Sequence, residues 1–423
     1  MVAGWETISS KENQQKQMSK TAVIIGRVFP EATSTAASWR MIQLLELLQA
    51  EGYTLHFLSA AEPSKYASDL SKWVAQQKFI SVNDDRFDNL LAEINPSLVL
   101  FDRFITEEQF GWRVSEVCPN AIKILDTEDL HFLRKAREDV FKANGEQLHL
   151  QNELFKREIA SILRCDLSLI ISGFEYELLV NEFQIDRQVL FYLPFLYDDE
   201  NVKKTSFYDR NHFVSIGNFL HEPNWYTVLA LKRMWPNIRK QLPKAELHIY
   251  GAYLPEKAKQ LHQPKNGFII KGKAKDVVST FLNYRLLLAP IPYGAGLKGK
   301  IFEAMRCGLP TISSSIGVEG FTNEQNEFGG YIADSDDLFT TYVVDLFSNE
   351  KDWIEKQQKG MQLLQSNFHR SLFVNKWKKQ IQFLENHLEK HRKNQFLFGV
   401  MNYQSNQATK YMSKWITLKN KSF

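Results

Sequence analysis

Residues 292–314 read PYGAGLKGKIFEAMRCGLPTISS. Gly294, Gly296 and Gly299 crowd a short stretch in which Lys298 and Lys300 stand two residues apart, and Glu303 follows one turn later. The spacing predicts a helix that begins near Gly299 or Lys300, runs through Arg306, is capped by Gly308 and is stopped by Pro310. Glycine ahead of a helix lets the backbone approach a ligand closely. The helix's free N–H groups and positive dipole end attract an anion, and the lysines add full charges at the same place. Glu303 lies on a face that reaches sugar hydroxyls. Together these residues suit the diphosphate and ribose of a nucleotide. The plainer alternative is a glycine-rich turn with a glutamate that offsets the helix dipole.

No G-x-G-x-x-G follows the first predicted strand and no G-x-x-x-x-G-K-[ST] loop is present, which removes dehydrogenase and P-loop readings. The triplet Asp334-Ser335-Asp336 precedes an apolar helix and reads as its cap and dipole compensation, not as a metal site. Asp85 and Asp88 in DDRFD make no better case. The expectation is a site that needs no metal and no other cofactor, with charge neutralised by lysines and a helix end. Asp126, Glu128, Asp129 and His131 follow a predicted strand of the N-terminal half. His131 either hydrogen-bonds a bound sugar or lies on a helix surface. Arg134 and Arg137 either bind an anionic acceptor or pair with Glu138 and its neighbours. Thr33, Ser34, Thr35 and Ser38 line the turn before the first helix, as acceptor contacts or as an ordinary cap. His221 stands at a strand end as a donor contact. His248, alternating with apolar residues in ELHIYG, reads as a core histidine, and Trp225 as packing.

These residues need a frame. TAVIIGRVFP, from Thr21, is a continuous apolar run, WRMIQLLELLQAEG an amphipathic helix closed by Gly52, and YTLHFLSA a second strand. SLVLFD, AIKILDTED, CDLSLIIS and VLFYLPF continue the strands, with a charged helical stretch between Asp129 and Arg164. Such alternation implies parallel sheets with right-handed crossovers. After a polar stretch at 197–210 the alternation restarts with HFVSIGNF, AELHIYGAY, GFIIKGKAK, YRLLLAPIPYG and LPTISSS, and the chain is helical after Leu338. The expected class is α/β, with two doubly wound Rossmann-like domains facing across a cleft. Expected units are a leader at 1–19, domains at 20–196 and 211–370 around a linker at 197–210, and a returning helix with a basic tail at 371–423.

The 423 residues exceed one ordinary core, which favours two domains. Basic and acidic residues number 52 and 49, so no basic excess points to nucleic acid. Three scattered cysteines fit a reducing compartment, and the polar first twenty residues lack a signal-peptide core, which together point to the cytoplasm. From Lys390 to Phe423 there are seven basic and no acidic residues, with Phe396, Phe398, Tyr403, Tyr411 and Trp415 among them. That tail either touches an anionic membrane surface, is solvated, or packs back on the N-terminal domain.

The stretch PYGAGLKGKIFEAMRCGLPTISSSIGVEGF is similar to the donor-site signature of family 4 glycosyltransferases, which have the GT-B fold. FVSIGNFLHEPNWYTVLALKRMWPNIRKQLPKAELHIYG resembles the opening of the same domain, and ILDTEDLHFLRKAR an N-domain segment of one branch of the family. The resemblance implies retaining transfer of a sugar from a nucleotide-sugar donor to a glycan, lipid-linked or small-molecule acceptor. It places Glu303 on the ribose and Lys300 or Lys298 on the diphosphate, with Gly294 and Gly296 allowing backbone approach. Gly272, Lys273 and Ala274 match the loop that brackets the base, and His131 a histidine that contacts the donor sugar. Gly217 opens the GNFLHEPN turn, where many members carry an arginine and a lysine on the phosphates. Ala295 stands where the family has its first motif glutamate, which keeps open a non-catalytic protein that binds a sugar nucleotide or a partner. A sugar-nucleotide epimerase of the same architecture is the third reading.

Overall fold

A computed structural model describes residues 20–31, 35–199, 205–322 and 327–421. Thr33, Ser34, the leader at 1–19 and residues 200–204 of the polar stretch lie outside the described residues. Seven strands form the first sheet: β1 (Lys20–Gly26), β2 (Tyr53–Ser59), β3 (Gln76–Phe79), β4 (Leu98–Asp102), β5 (Ile122–Asp126), β6 (Leu167–Ile170) and β7 (Leu190–Tyr192). They are parallel, in the order β3-β2-β1-β4-β5-β6-β7. The apolar run in β1 follows from burial on both faces: Ala22 and Ile24 join one apolar cluster, Val23 and Ile25 the other. Thr35 caps the helix Ala36–Ala50 by accepting from the Ser38 N–H, and Gly52 (φ +85°) ends the turn beyond it.

The second sheet is also parallel. It comprises β8 (Asn211–Ile216), β9 (Leu247–Tyr250), β10 (Phe268–Gly272), β11 (Tyr284–Ala289), β12 (Thr311–Ser313) and β13 (Gly330–Ile332), in the order β10-β9-β8-β11-β12-β13. In each sheet the order reverses beside the first strand, between β1 and β4 and between β8 and β11, and a crevice opens at the carboxyl ends there. This is the expected pair of doubly wound domains.

Some elements differ from expectation. The charged stretch after Asp129 is two helices, His131–Ala143 and Glu153–Arg164, because Asn144 turns left-handed at φ +48°. β3 has four residues, all exposed, and β13 three, too few for a pattern. The end of the polar stretch is built into the second domain: Phe207 is buried, and Arg210 donates to the Cys307 carbonyl at 2.7 Å. The helix Ser371–Asn394 returns to the first domain, where Phe373, Trp377, Ile381 and Leu384 join Leu44 and Leu45. The helix Phe396–Lys421 then lies on the helices Phe104–Val117 and Glu153–Arg164.

Candidate active site

The loop after β11 enters the helix Gly299–Arg306, whose predicted bounds hold. It is pinned from both domains. Arg137 donates to the Gly294 carbonyl at 2.8 Å and forms an ion pair with Glu319 at 2.7 Å. The Gly296 N–H donates to Glu175 at 2.7 Å. Gly296 has φ +63°, and a methyl on it would stand 2.8 Å from the Asp129 Cβ, so only glycine allows this approach. Gly294 and Gly296 thus serve the domain contact as well as any ligand.

The two lysines have different surroundings. Lys298 turns back on its own loop, donating to the Gly296 carbonyl at 2.6 Å. Burial lowers its pKa, opposed by Glu319 and Glu175. Lys300 reaches across to Asn224 Oδ1 at 2.7 Å, and Asn224 in turn donates to the Asn218 carbonyl at 2.7 Å. Gly217 lies against Asn224, where an added methyl would stand 2.6 Å from Oδ1. Among the described residues no carboxylate acts on Lys300. Burial, then the repulsion of Lys298, lowers its pKa to about 7. A buried cation without a counter-charge at a helix N-terminus has room in its electrostatics for an anion.

The first domain offers carboxylates to the same crevice. Burial would raise Asp129, but Arg134, His131, Arg103 and His221 overcome it and hold its pKa at about 2. Glu128 goes the other way, pushed up to about 8 by burial and by Asp126 despite Arg103. Burial and Asp129 push Glu175 up to about 8 as well, against the Leu130 and Gly296 N–H groups and Lys298. Its Oε1 accepts from both N–H groups and its Oε2 has no partner among the described residues. Glu128 (φ +65°) and Arg103 (φ +70°) hold backbone conformations that cost of order 1–3 kcal/mol each and gather at functional sites.

His131 opens its helix with Nδ1 3.0 Å from the Asp129 carbonyl and 3.3 Å from Glu158, edge-on to Phe104. It is set into the first domain's wall behind Asp129, the residue that meets the glycine loop. His221 stands at the N-cap position of the helix Glu222–Gln241 without a side-chain cap hydrogen bond, and is exposed. The protein mass around it and Arg134 lower its pKa, while Asp129 raises it. Glu303 pairs with Arg306 at 2.8 Å on its own helix, an arrangement that a ribose would share or displace. Gly272 (φ +76°) has open space where a side chain would stand, Lys273 lies 3.9 Å over the Tyr66 ring of the other domain, and Ala274 is buried.

Arg134 pairs with Asp129 and Arg137 with Glu319, so both are engaged within the protein. Asp334 accepts from Ser315 at 2.8 Å, Ser335 caps its helix, and Asp336 pairs with Arg233 at 2.6 Å, which separates the two carboxylates of the triplet. Asp88 pairs with Arg113. His248 is a satisfied core histidine, bonded to Tyr284 at 2.6 Å and Glu246 at 2.8 Å. Glu175 and Asn224 were not legible as site residues: one sits in the short helix Gly173–Glu177, the other in the first turn of the helix Glu222–Gln241, and neither carries a local sign of its partner.

Gly299 gives a direct test of domain approach. A methyl there would stand 2.3 Å from the Ala36 Cβ of the first domain. We expect Gly299→Ala to cost about 1–3 kcal/mol of the closed arrangement and to lower turnover roughly tenfold to hundredfold. Nucleotide affinity should stay within a few fold. Parallel kinetics and calorimetry check this, and unchanged turnover would show that the reaction does not need this approach.

Residues 210–349 match the family model described as Glycosyl transferases group 1. No curated protein matches the chain by sequence. Among solved structures, sucrose-phosphate synthase from Thermosynechococcus elongatus superposes with a TM-score of 0.64 at 14% identity, covering 86% of this chain and 99% of that one. HepE from Anabaena, solved with UDP and glucose, gives 0.61 at 12% identity, covering 86% and 98%. A glycosyltransferase from Rickettsia africae ESF-5 gives 0.60 at 13%, covering 86% and 99%. The C-terminal domain is therefore similar to the glycosyl transferases group 1 family over residues 210–349, on a chain whose two domains together have the GT-B fold.

Proposed function

We propose that the protein is a retaining glycosyltransferase that takes a sugar from a nucleotide-sugar donor without a metal ion. The observation that carries this reading is Lys300, a cation at a helix N-terminus in the cleft whose side chain meets, among the described residues, an amide and another cation but no carboxylate. A donor diphosphate supplies the missing charge. Its ribose falls toward Glu303 and its base toward Gly272–Ala274, while Gly217 and His221 border the phosphates from the neighbouring turn. Lys298 contributes through the loop it braces.

In the reaction the bond between the anomeric carbon and the phosphate oxygen breaks, and the acceptor oxygen bonds to the same face of that carbon. The departing phosphate oxygen takes the acceptor's proton, so no strong protein base is required. Negative charge grows on that oxygen, and Lys300 with the helix N–H groups stabilises it in place. Asp129 and Glu128 face the sugar side of the cleft, with His131 orienting Asp129.

Ala295 favours a second reading. It stands in the family's first-glutamate position, and its methyl is buried in an apolar cluster of the first domain, so packing occupies that direction. A protein that holds a sugar nucleotide without transferring the sugar is consistent with this.

Calorimetric titration with UDP, GDP and ADP in the presence of EDTA tests the site. One nucleotide should bind at micromolar affinity, and Glu303→Ala should weaken it roughly tenfold through lost ribose hydrogen bonds. Absence of binding by folded protein would remove the donor-site assignment, and restoration by magnesium would remove metal independence. Binding without donor hydrolysis or transfer would favour the second reading.

A further inference from the structure

The helix Phe396–Lys421 is amphipathic in the reverse sense. Its inward face makes mainly polar contacts, with Phe398 turned in beside them, its ring 4.8 Å from Lys123 Nζ. Asn402 accepts from Lys123 at 2.7 Å and donates to the Arg164 carbonyl at 3.3 Å. Ser413 accepts from Arg113 at 3.2 Å, Thr417 donates to the Asn83 carbonyl at 2.8 Å, and Lys410 pairs with Glu116. Ser413 and Thr417 are buried. The outward face carries Phe396, Val400, Tyr403, Tyr411 and Trp415, and its four aromatic residues are exposed by 77%, 72%, 65% and 61% in chain order. A helix held only for packing would place these groups inward, because each large side chain buried contributes about 1.5–3 kcal/mol. A half-open cavity of about 460 Å³ is lined by Ala408, Met412 and Ile416 of the helix and by Trp112, Glu107 and Arg164 of the domain, so the seat of the helix is not fully packed.

We propose that this outward face docks on an anionic lipid surface. Charge selects that occupant: the chain from Lys390 onward contains no acidic residue, and Lys414 and Lys419 are exposed beside the aromatic groups, with Lys419 5.3 Å from the Trp415 ring. Tyrosine and tryptophan with flanking lysines suit the boundary between headgroups and acyl chains, where rings enter the apolar side and ammonium groups stay with phosphate. Polar inner contacts hold the helix to the catalytic body while the apolar side stays free to insert. No helix among the described residues is long and apolar enough to cross a membrane, so the contact is interfacial.

Flotation of the full chain with vesicles tests this, using phosphatidylcholine alone and phosphatidylcholine mixed with phosphatidylglycerol, at low and high salt. Binding to the anionic vesicles at low salt, weaker at high salt, with a blue shift of tryptophan emission, is expected. The double change Lys414→Glu with Trp415→Glu points outward and leaves the inner hydrogen bonds untouched. It should lower the bound fraction about tenfold while leaving nucleotide affinity and thermal stability near wild type. Tyr208→Glu, an exposed aromatic on the other domain, should change nothing. Failure to float with anionic vesicles, equal binding to neutral ones, or a dimer in sedimentation dispersed by the double change would each overturn the proposal.

Discussion

Replacing Lys300 by alanine should abolish measurable diphosphate binding and lower turnover about a hundredfold to a thousandfold, the usual effect of removing one group that stabilises the developing anion. The wild-type protein should also take up a proton on binding. Burial and Lys298 hold the Lys300 pKa at about 7, so at pH 8 the side chain is largely neutral in the free protein. A bound diphosphate favours the ammonium and raises that pKa, and the proton comes from solvent. Since phosphate is fully ionised at pH 8, the proton goes to the protein, and a Lys300 variant isolates the share of that lysine from those of Lys298, Glu128 and Glu175. Uptake should approach about one proton per site at pH 8, and affinity should fall as pH rises from 7, by at most about tenfold per unit. The sign for folding runs opposite. The folded-state pKa lies below that of the unfolded chain, so the unfolded chain binds more protons between the two values, and stability of the free protein rises with pH across that window.

Titrations at pH 8 in buffers of different ionisation enthalpy measure the uptake directly. Heats that vary with buffer in the wild type and cease to vary in a weakened Lys300→Gln protein establish the linkage. Heats independent of buffer in the wild type would mean that Lys300 is already charged, and the central electrostatic argument would fail.

Arg40→Met should destabilise the protein by about 3–5 kcal/mol. Arg40 and Asp126 are 1% and 0% exposed, and the guanidinium donates to the carboxylate at 2.8 and 3.0 Å and to the Leu193 carbonyl at 2.6 Å. Removing the arginine leaves a buried carboxyl beside Asp102 and Glu128, with its pKa already raised by burial. The pair also ties the first helix under the end of β5, from which Glu128 and Asp129 enter the cleft. Adding Asp126→Asn should recover part of the loss, because the amide is cheaper to leave buried than the carboxylate. Denaturant titration of the single and double variants measures both effects. A loss below about 1 kcal/mol would show that water or movement compensates the charge.

The strands and helices that build the cleft were legible because burial on both faces leaves a long apolar signal. TAVIIG, SLVLFD and YRLLLA each became a buried strand at the place expected. The glycine–lysine helix entrance was equally legible, since glycine, charge and a helix stop act over a few neighbouring residues. Short elements escaped: QQKF at β3 is exposed at every position and so carries no apolar pattern, and the break at Asn144 depends on one left-handed residue.

What remained hidden lay in contacts between distant parts of the chain. Lys298 and Lys300 look alike in sequence, yet one folds back on Gly296 and the other reaches Asn224. Glu175 carries no local sign of its place, because its carboxyl meets Gly296 only when the two domains close. The tail's composition announced charge and aromatic rings, but only packing decided that four of the five rings face outward while Phe398, Asn402 and Ser413 face the protein. Local chemistry is written in neighbouring residues, whereas pKa, exposure and charge pairing are set by whatever the fold brings from elsewhere.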